Sequence, residues 1–182
     1  MGRWAELKAS RHVFLVGFMG SGKTTAGREL ARRRGWEFID LDQTIEQTAA
    51  RTIDVIFREQ GEAAFRQYET AVLQSLLHSK NSESMRVVAL GGGAFVQPAN
   101  RALIHSTGAE VVFLDAPIEE LLRRCRAQSE VVRPLLQNES RFRRLYDERR
   151  PHYLAARIKI DTHQRSLNDV VDEIERSLEL TA

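Results

Sequence analysis

Residues 17–24 read GFMGSGKT, which matches the GxxxxGK[ST] pattern of a phosphate-binding loop. The apolar run His12–Val16 precedes the motif, and a helical pattern follows it, so the motif lies between a strand and a helix as it requires. Glycines allow backbone N–H groups to point at a polyphosphate at the helix N-terminus, where the helix dipole also favours negative charge. The stretch therefore predicts a P-loop that binds a nucleoside triphosphate.

The side chains of this loop have separate expected roles. We expect Lys23 to reach the β- and γ-phosphates and the Thr24 hydroxyl to bind Mg²⁺. The predicted nucleotide-binding residues of the loop are Gly20, Ser21, Gly22, Lys23, Thr24 and Thr25. The alternative is a glycine-rich turn that only joins a strand to a helix.

Length and composition favour one α/β domain over residues 1–182. The chain is 42% hydrophobic, and it is long enough to bury a substantial core. Its one cysteine, Cys125, excludes an internal disulfide and suits a reducing cytosol. No stretch approaches the roughly 20 apolar residues of a membrane span, and residues 1–10 lack the apolar core of a signal peptide. We expect a cytoplasmic protein without a membrane partner.

Short strands alternate with helices along the chain. The predicted strands are His12–Val16, Glu37–Asp40, Arg86–Leu90, Glu110–Leu114 and Arg157–Ile160. The predicted helices are Thr24–Arg34, Asp42–Ala49, Thr52–Gln60, Glu62–His78, Ala99–His105, Ile118–Arg126, Arg141–Tyr153 and Leu167–Leu178. This alternation predicts a five-stranded parallel sheet covered on both faces, which is a three-layer α/β sandwich.

Charge is unevenly distributed along the chain. The net charge is only +2, but the stretch from Arg123 to Arg157 contains ten arginines and four acidic residues. This excess indicates an anionic ligand. A nucleic acid is the competing interpretation, which the scarcity of interleaved aromatic residues disfavours.

Two acidic residues end the second predicted strand. Asp40 and Asp42 flank Leu41, and ligands of open α/β sheets bind beyond the carboxyl ends of the strands. Both acids are therefore expected to face the same crevice as the phosphate-binding loop. Alternatively, Asp42 is only the N-cap of the helix that follows.

A third acid, Asp115, follows the apolar run Val111–Leu114, as in a Walker B strand that helps to hold Mg²⁺. The alternative is that Asp115 starts a turn before Pro117. No Asn-Lys-x-Asp sequence for guanine recognition occurs in the chain. An ATP-using phosphotransferase therefore fits better than a GTPase.

Three consecutive glycines, Gly91, Gly92 and Gly93, follow the third predicted strand. Glycines cost conformational entropy on folding, and close approach of the backbone to a ligand would explain that cost. The alternative is a flexible turn between a strand and a helix.

Six motifs occur in the order and spacing found in shikimate kinases, and the chain resembles that family over nearly its whole length. They are Gly17–Thr24, Asp40-Leu41-Asp42, Phe65-Arg66-x-x-Glu69, Gly91-Gly92-Gly93, Val132-Arg133-Pro134-Leu135-Leu136 and Arg149-x-Pro151-x-Tyr153. The resemblance implies a P-loop fold like that of nucleoside monophosphate kinases, with sheet order 2-3-1-4-5. It also implies a substrate-binding region at about 42–78, a mobile lid at about 127–137, and a monomer.

The implied activity is ATP-dependent phosphorylation of the 3-hydroxyl of shikimate, which gives 3-phosphoshikimate and ADP on the route to chorismate and aromatic amino acids. By this resemblance, Arg66 and Arg149 bind the shikimate carboxylate as charged forks, because guanidinium binds carboxylate bidentately. Asp42 binds the ring hydroxyls and is a candidate proton acceptor. Glu69 orients Arg66 from the same helical face. The backbone at Gly91–Gly93 contacts the substrate.

The resemblance also assigns the nucleotide side. Asp40 binds Mg²⁺ through water, Arg124 lies over adenine, and Arg133 joins Lys23 in stabilising the charge that develops during transfer. The stretch Thr162–Leu167 lacks the proline that often packs near adenine in relatives. The predicted catalytic residues are therefore Lys23, Asp42 and Arg133. A kinase for another polyol acid such as gluconate, and a nucleotide-binding module without turnover, are the alternatives.

Overall fold

The computed structural model of the protein describes residues 12–78, 85–127 and 138–181. These residues form one five-stranded parallel sheet with the strand order β2-β3-β1-β4-β5. The strands are β1 (His12–Val16), β2 (Glu37–Asp40), β3 (Arg86–Ala89), β4 (Glu110–Asp115) and β5 (Ile158–Asp161). The predicted fold class and strand order are both confirmed.

Seven helices surround the sheet in the described part of the chain. They are α1 (Lys23–Arg34), α2 (Leu41–Ala49), α3 (Ile53–His78), α4 (Pro98–Ser106), α5 (Ile118–Ala127), α6 (Glu139–Tyr153) and α7 (Leu167–Thr181). A short 3₁₀ turn, Ala94–Val96, precedes α4. The two helices predicted on either side of Gly61 follow each other directly within α3. Gly61 has φ 81° and ψ 175°, so the backbone breaks at the residue between the two predicted helices.

The core is split into two layers by the sheet. Along β1, Val13 and Leu15 pack with α1 and α7, whereas Phe14 and Val16 pack with the helices of the opposite face. A strand that is buried on both faces carries apolar side chains at every position, which is why β1 is a continuous apolar run.

Parallel pairing brings the carboxyl ends of all strands to one edge. Asp40 lies opposite Ala89, and Leu15 lies opposite the same residue from the other side. The phosphate-binding loop, the two acids after β2 and the glycine triplet after β3 therefore start from neighbouring strand ends. Parallel α/β sheets bind ligands at this edge.

Two further features concern the single cysteine, Cys125, and the possibility of a membrane-spanning helix. Cys125 is 3% exposed and belongs to the core. In the described ranges, no helix combines the length and apolar character needed to cross a membrane.

Candidate active site

The phosphate-binding loop joins β1 to α1. Gly20 and Gly22 have φ angles of 79° and 92°, which residues with a side chain rarely adopt. A Cβ atom on Gly20 would lie 2.7 Å from the Leu121 carbonyl oxygen and 2.8 Å from Cys125 Sγ, because α5 packs directly behind the loop. Both the left-handed backbone and the close packing therefore require the glycine at position 20.

Lys23 folds back over its own loop. Its Nζ donates to the carbonyl oxygens of Gly17, at 2.9 Å, and Phe18, at 3.0 Å. Desolvation lowers the pKa of Lys23 to about 8, against the opposing attraction of Asp42 and Asp40. The ammonium group thus lies in the loop and close to both acids, where an added anion would raise its pKa.

Asp40 caps α2 and contacts the phosphate-binding loop. Its Oδ1 accepts from the backbone N–H groups of Asp42, at 3.1 Å, and Gln43, at 3.4 Å. Its Oδ2 accepts from Thr24 Oγ1 at 2.9 Å. The interpretation of Asp42 as the N-cap is therefore wrong, because α2 begins one residue earlier than predicted and Asp40 occupies the cap position.

Asp42 lies in the first turn of α2, and its carboxylate is not used for capping. Desolvation raises the pKa of Asp42, and the neighbouring Asp40 raises it further, while Lys23 opposes the shift. The carboxylate packs against the glycine triplet, where a Cβ atom on Gly91 would lie 2.3 Å from Asp42 Oδ1. A side chain at position 91 would therefore displace this acid.

The other two glycines of the triplet also face charged side chains of the candidate site. A Cβ atom on Gly92 would lie 3.3 Å from Arg149 Nη1, and one on Gly93 would lie 2.2 Å from Arg66 Nη1. Among these glycines no φ angle is left-handed, so space and not backbone conformation requires them. Side chains of the site itself thus approach the triplet closely, and the predicted approach of its backbone to a ligand stays a prediction.

Arg66 is held by two acids of α3. Its Nη1 donates to both carboxylate oxygens of Glu69, at 3.2 and 3.0 Å, and its Nη2 donates to Glu62 Oε1 at 2.9 Å. Glu69 is fully buried, and burial raises its pKa to about 7 against the attraction of Arg66. The structure thus brings Glu69 and Arg66 into the contact that the helical spacing predicts.

Tyr153 ends one of the six motifs, but sequence reasoning assigned it no role in the site. Its hydroxyl donates to the Gly92 carbonyl oxygen and interacts with the side chain of Arg149, four residues earlier in α6. Burial raises the pKa of Tyr153 to about 12. The spacing of four residues on one helix was the available signal, because it places both side chains on the same face.

One cavity joins the predicted nucleotide and acceptor residues. Its volume is about 370 Å³, and its lining includes Lys23, Thr24, Asp40, Asp42, Gly91 and Gly92. A second cavity of about 370 Å³ lies on the other side of the loop, where Gly20, Gly22 and Thr25 contribute to both. The second cavity is also lined by Arg124, Thr162 and Leu167.

Arg124 is fixed at the wall of this second cavity. Its Nη1 donates to Thr162 Oγ1 at 3.0 Å and its Nη2 to the Thr162 carbonyl oxygen at 2.6 Å. Glu120 accepts from Arg124 Nε at 2.7 Å. A planar guanidinium held in this way presents a face on which a base can stack.

Asp115 is engaged in contacts away from the phosphate-binding loop. Its Oδ2 accepts from Arg150 Nη2 at 2.6 Å, and its Oδ1 accepts from the backbone of Ala116 at 3.0 Å. These contacts favour a turn stabilised by an ion pair over a metal-binding Walker B acid. Many arginines of the basic stretch form similar pairs with acids, namely Arg123, Arg124, Arg126, Arg143, Arg150 and Arg157.

Thr24 and Asp40 are the residues that fit a magnesium ion. Over the described ranges, no group of three histidine, cysteine or acidic side chains could hold a metal. Mg²⁺ does not need such a group, because it usually takes one or two protein oxygens and completes its shell with phosphates and water. The adjacent hydroxyl and carboxylate oxygens at the mouth of the loop suit that coordination. The predicted lid cation, Arg133, lies outside the described residues.

The strand order, the loop between β1 and α1, and the cavity shared with two acids define a P-loop phosphotransferase for a small acceptor. Comparisons with known proteins agree with this class. The family profile described as shikimate kinase matches residues 19–179. The chain therefore belongs to the shikimate kinase family, which confirms the resemblance found in its motifs.

Individual relatives support the assignment over the full length. The shikimate kinase of Symbiobacterium thermophilum is 43% identical over 172 residues, which cover 92% of this chain and 96% of the relative. That of Persephonella marina is 40% identical over 165 residues, with coverage of 90% and 96%. The structure of shikimate kinase from Acinetobacter baumannii in complex with shikimate is 38% identical, with a TM-score of 0.81 and 93% coverage of both chains. A gluconokinase from Sinorhizobium meliloti, at 19% identity and a TM-score of 0.64, shares the fold.

Proposed function

We propose that the chain transfers the γ-phosphoryl group of ATP to the 3-hydroxyl of shikimate, giving 3-phosphoshikimate and ADP on the route to chorismate and aromatic amino acids. Family membership supports this reaction. The structural observation that supports it best is the cavity that Lys23 and Thr24 share with Asp42 and with the first two glycines of the triplet, Gly91 and Gly92. Phosphoryl transfer requires the donor and the acceptor to lie in line within one water-excluding site.

On the donor side, the loop backbone from Gly20 to Thr25 holds the phosphates. Lys23 turns from its loop carbonyls to the β- and γ-phosphates, whose negative charge raises its lowered pKa again. The Ser21 hydroxyl is buried and has no hydrogen-bond partner among the described residues, so it is available to the nucleotide. Arg124 lies beside the base in the neighbouring cavity.

On the acceptor side, Arg66 and Arg149 bind the shikimate carboxylate. The two guanidinium groups converge on Gly92 and Gly93, whose backbone N–H groups contact the ring. Two guanidinium groups that bind one carboxylate set the orientation of the substrate and also strengthen its binding. Asp42, at the other end of the triplet, binds the ring hydroxyls.

Asp42 positions the 3-hydroxyl and accepts its proton as the oxygen attacks. Its raised pKa makes it a better proton acceptor than an exposed aspartate, and the nearby Lys23 opposes that rise. The transition state of phosphoryl transfer is loose, so that positioning and cationic charge contribute more than a strong base.

Magnesium would be held by Thr24 directly and by Asp40 through water. The Thr24 hydroxyl donates its hydrogen bond to Asp40, so its lone pairs stay available to the metal. When bound, the ion supplies positive charge that neutralises the phosphates. An Asp40→Asn variant should shift the Mg²⁺ dependence of the rate.

Further proposals extend to the rest of the chain. Arg133 at the lid completes the cationic environment of the γ-phosphate, so Arg133→Ala should lower kcat with little loss of shikimate affinity. The chain acts as a single-domain cytoplasmic monomer, with no nucleic acid partner. The many arginine–acid pairs of the basic stretch support the last point, because they neutralise the surface that a nucleic acid would need.

The test is a coupled assay of ADP release with shikimate, with gluconate and without an acceptor. We expect release with shikimate alone. Release with gluconate alone would show that the acceptor is a different polyol acid and not shikimate. No release with either compound would indicate a module that binds nucleotide without turnover.

A further inference from the structure

The glycine triplet is continued by the 3₁₀ turn Ala94–Val96. The turn is bonded to the triplet, because the N–H groups of Ala94 and Val96 donate to the carbonyl oxygens of Gly91 and Gly93, both at 3.1 Å. The position of Ala94–Val96 therefore sets the position of Gly91–Gly93. Glycine itself has no side chain with which to fix this position, so other residues must do so.

Asn100 on α4 ties the turn to α3. Its side chain is fully buried, and its Nδ2 donates to the Ala94 carbonyl oxygen at 3.1 Å. Its Oδ1 accepts from Thr70 Oγ1 at 2.9 Å. Thr70 follows Glu69 and lies one helical turn after Arg66. One buried amide thus links the triplet to the helix that carries the first carboxylate-binding arginine.

Arg101, the next residue of α4, ties the same turn to α6. Its Nη1 lies 3.0 Å from the Phe95 carbonyl oxygen, 2.7 Å from that of Val96, and 3.2 Å from His152 Nδ1. A guanidinium has no acceptor, so His152 Nδ1 accepts in this contact. His152 lies three residues after Arg149 on α6. Arg101 therefore links the turn to the helix that carries the second carboxylate-binding arginine.

We propose that Asn100 and Arg101 are positioning residues that set the separation of Arg66 and Arg149 across the glycine triplet. This inference rests on the proposed function, because it assigns both arginines to the acceptor carboxylate. α4 itself contributes no lining residue to the cavity that holds Lys23 and Asp42. Asn100 and Arg101, which are neighbours on α4, act through the 3₁₀ turn on α3 and α6 respectively.

The side chains of Arg66 and Arg149 pack closely against the glycine triplet, so a shift of the 3₁₀ turn affects both of them. A methyl group on Gly93 would displace the end of the Arg66 side chain, and one on Gly92 would be in tight contact with Arg149. A small displacement of the turn therefore changes the approach of both guanidinium groups. Bidentate recognition of a carboxylate depends on fixed geometry, so that it is sensitive to such a displacement.

The test compares Arg101→Met and Thr70→Val with the matched control Arg157→Met. Arg101→Met keeps the aliphatic stem and removes the donors, Thr70→Val is isosteric and removes the partner of Asn100, and Arg157 pairs only with Glu110 at the surface. We expect the KM for shikimate to rise about tenfold in Arg101→Met, which removes the three contacts of Nη1, and about fivefold in Thr70→Val, which removes one hydrogen bond. The KM for ATP should change less than about twofold, and Arg101→Lys should recover part of the loss.

Calorimetric titration with shikimate and a melting curve complete the experiment. An unchanged KM for shikimate in folded Thr70→Val and Arg101→Met would overturn the inference, and so would equal increases for both substrates. A fall in Tm alone would show a purely structural role and would overturn it too. If Arg101→Met does not fold, Thr70→Val and Arg101→Lys give the answer. An unmodified enzyme that releases no ADP with shikimate would overturn the proposed function and this inference together, whereas an active enzyme with unaffected variants overturns the inference alone.

Discussion

The two halves of the candidate active site are built in different ways. The phosphate half is one contiguous stretch, Gly17–Thr24, and it offers mainly backbone N–H groups at the start of α1. The acceptor half combines side chains from separate segments, with Asp42 on α2, Arg66 on α3, and Arg149 on α6 around the glycine triplet. A polyphosphate is recognised by a run of backbone donors, whereas a carboxylate and ring hydroxyls need side chains that only the folded chain brings together.

Glycine serves different purposes in these two halves. Gly22 has a φ angle of 92° and no atom within 4 Å of where a Cβ would lie, so it is required by backbone conformation alone. Gly93 has no left-handed φ angle, but its Cβ would overlap Arg66. A glycine can therefore mark either an unusual turn or the approach of another chain segment. The phosphate-binding motif marks the first kind, and the glycine triplet after β3 marks the second.

The largest expected effect is at Asp42, which faces both halves. Asp42→Asn keeps the size of the side chain and removes the anion, so we expect kcat to fall by roughly 10²-fold or more. Folding should be unaffected because Asp40, and not Asp42, caps α2. Steady-state kinetics and a melting curve of the variant test this separation of catalysis from stability.

Asp115→Asn is the matched control, since Asp115 also follows an apolar strand at the same edge of the sheet. It should weaken the pair with Arg150 and cost about 1 kcal/mol of stability or less, because that pair is partly exposed. Its kcat and Mg²⁺ dependence should stay within about twofold of the wild type. A larger effect on Mg²⁺ dependence at Asp115 than at Asp40 would restore the Walker B interpretation.

The next effect concerns the arginines of the acceptor half. Arg66→Ala and Arg149→Ala each remove a charge-assisted fork worth roughly 1.5–3 kcal/mol, so the KM for shikimate should rise by roughly 10- to 150-fold. The KM for ATP should change far less, because neither residue lines the cavity beside Arg124. Initial-rate measurements with each substrate varied in turn give both constants.

Arg150→Ala is the control for position on α6. Arg150 follows Arg149 directly, but its guanidinium pairs with Asp115 and not with the triplet. It should leave the KM for shikimate within about twofold. If the KM for ATP rose more than that for shikimate in Arg66→Ala or Arg149→Ala, the assignment of the acceptor half would be wrong.

A third effect is the pH dependence introduced by Glu69. Burial raises the pKa of Glu69 to about 7, so the folded protein retains a proton that the unfolded chain releases near its ordinary pKa of 4.5. Between about pH 4.5 and 7 the folded state binds more protons, and its stability therefore falls as the pH rises through this window. The fall is complete above pH 7 and amounts to roughly 3 kcal/mol.

Urea unfolding of the wild type and Glu69→Gln at pH 5 and pH 8 isolates this contribution. The free energy of unfolding of the wild type should fall relative to that of Glu69→Gln when the pH is raised from 5 to 8. Glu62→Gln is the control, because Glu62 contacts the same arginine but is mostly exposed. A difference that stays constant between the two pH values would mean that Glu69 ionises normally in the folded protein.

Sequence reasoning was complete for the sheet and incomplete for the contacts among side chains. Each predicted strand forms in the structure with bounds shifted by at most one residue. The three central strands, β1, β3 and β4, are buried on both faces and therefore leave largely continuous apolar runs. The break at Gly61 was also foreseen, since only glycine readily adopts its backbone conformation. The alternative interpretation of Asp42 as the cap of α2 named the wrong acid, because Asp40 and Asp42 are both suitable residues and a small offset in the start of the helix decides between them.

The candidate site was predictable only as far as its residues belong to motifs. The pairing of Arg66 with Glu69 follows from helical spacing, but the contact of Arg66 with Gly93 joins segments far apart in the chain. No local pattern distinguishes Asn100 from an ordinary polar residue at the start of a helix. Its role depends on full burial and on partners in two other elements, which only the folded chain shows.

The smallest expected effect compares the two kinds of glycine directly. Gly22→Ala places a side chain at a left-handed φ angle in open space, which costs roughly 1–2 kcal/mol, and this should raise the KM for ATP about tenfold with little change for shikimate. Gly93→Ala has an ordinary backbone and meets only the end of the Arg66 side chain, which can move aside. We therefore expect a rise of about fivefold in the KM for shikimate, an unchanged KM for ATP and a smaller fall in Tm than in Gly22→Ala. Kinetics of both variants under identical conditions, with melting curves, provide the measurement. If both substitutions raised the KM for the same substrate, the division of the cavity into a backbone-built phosphate half and a side-chain-built acceptor half would not hold.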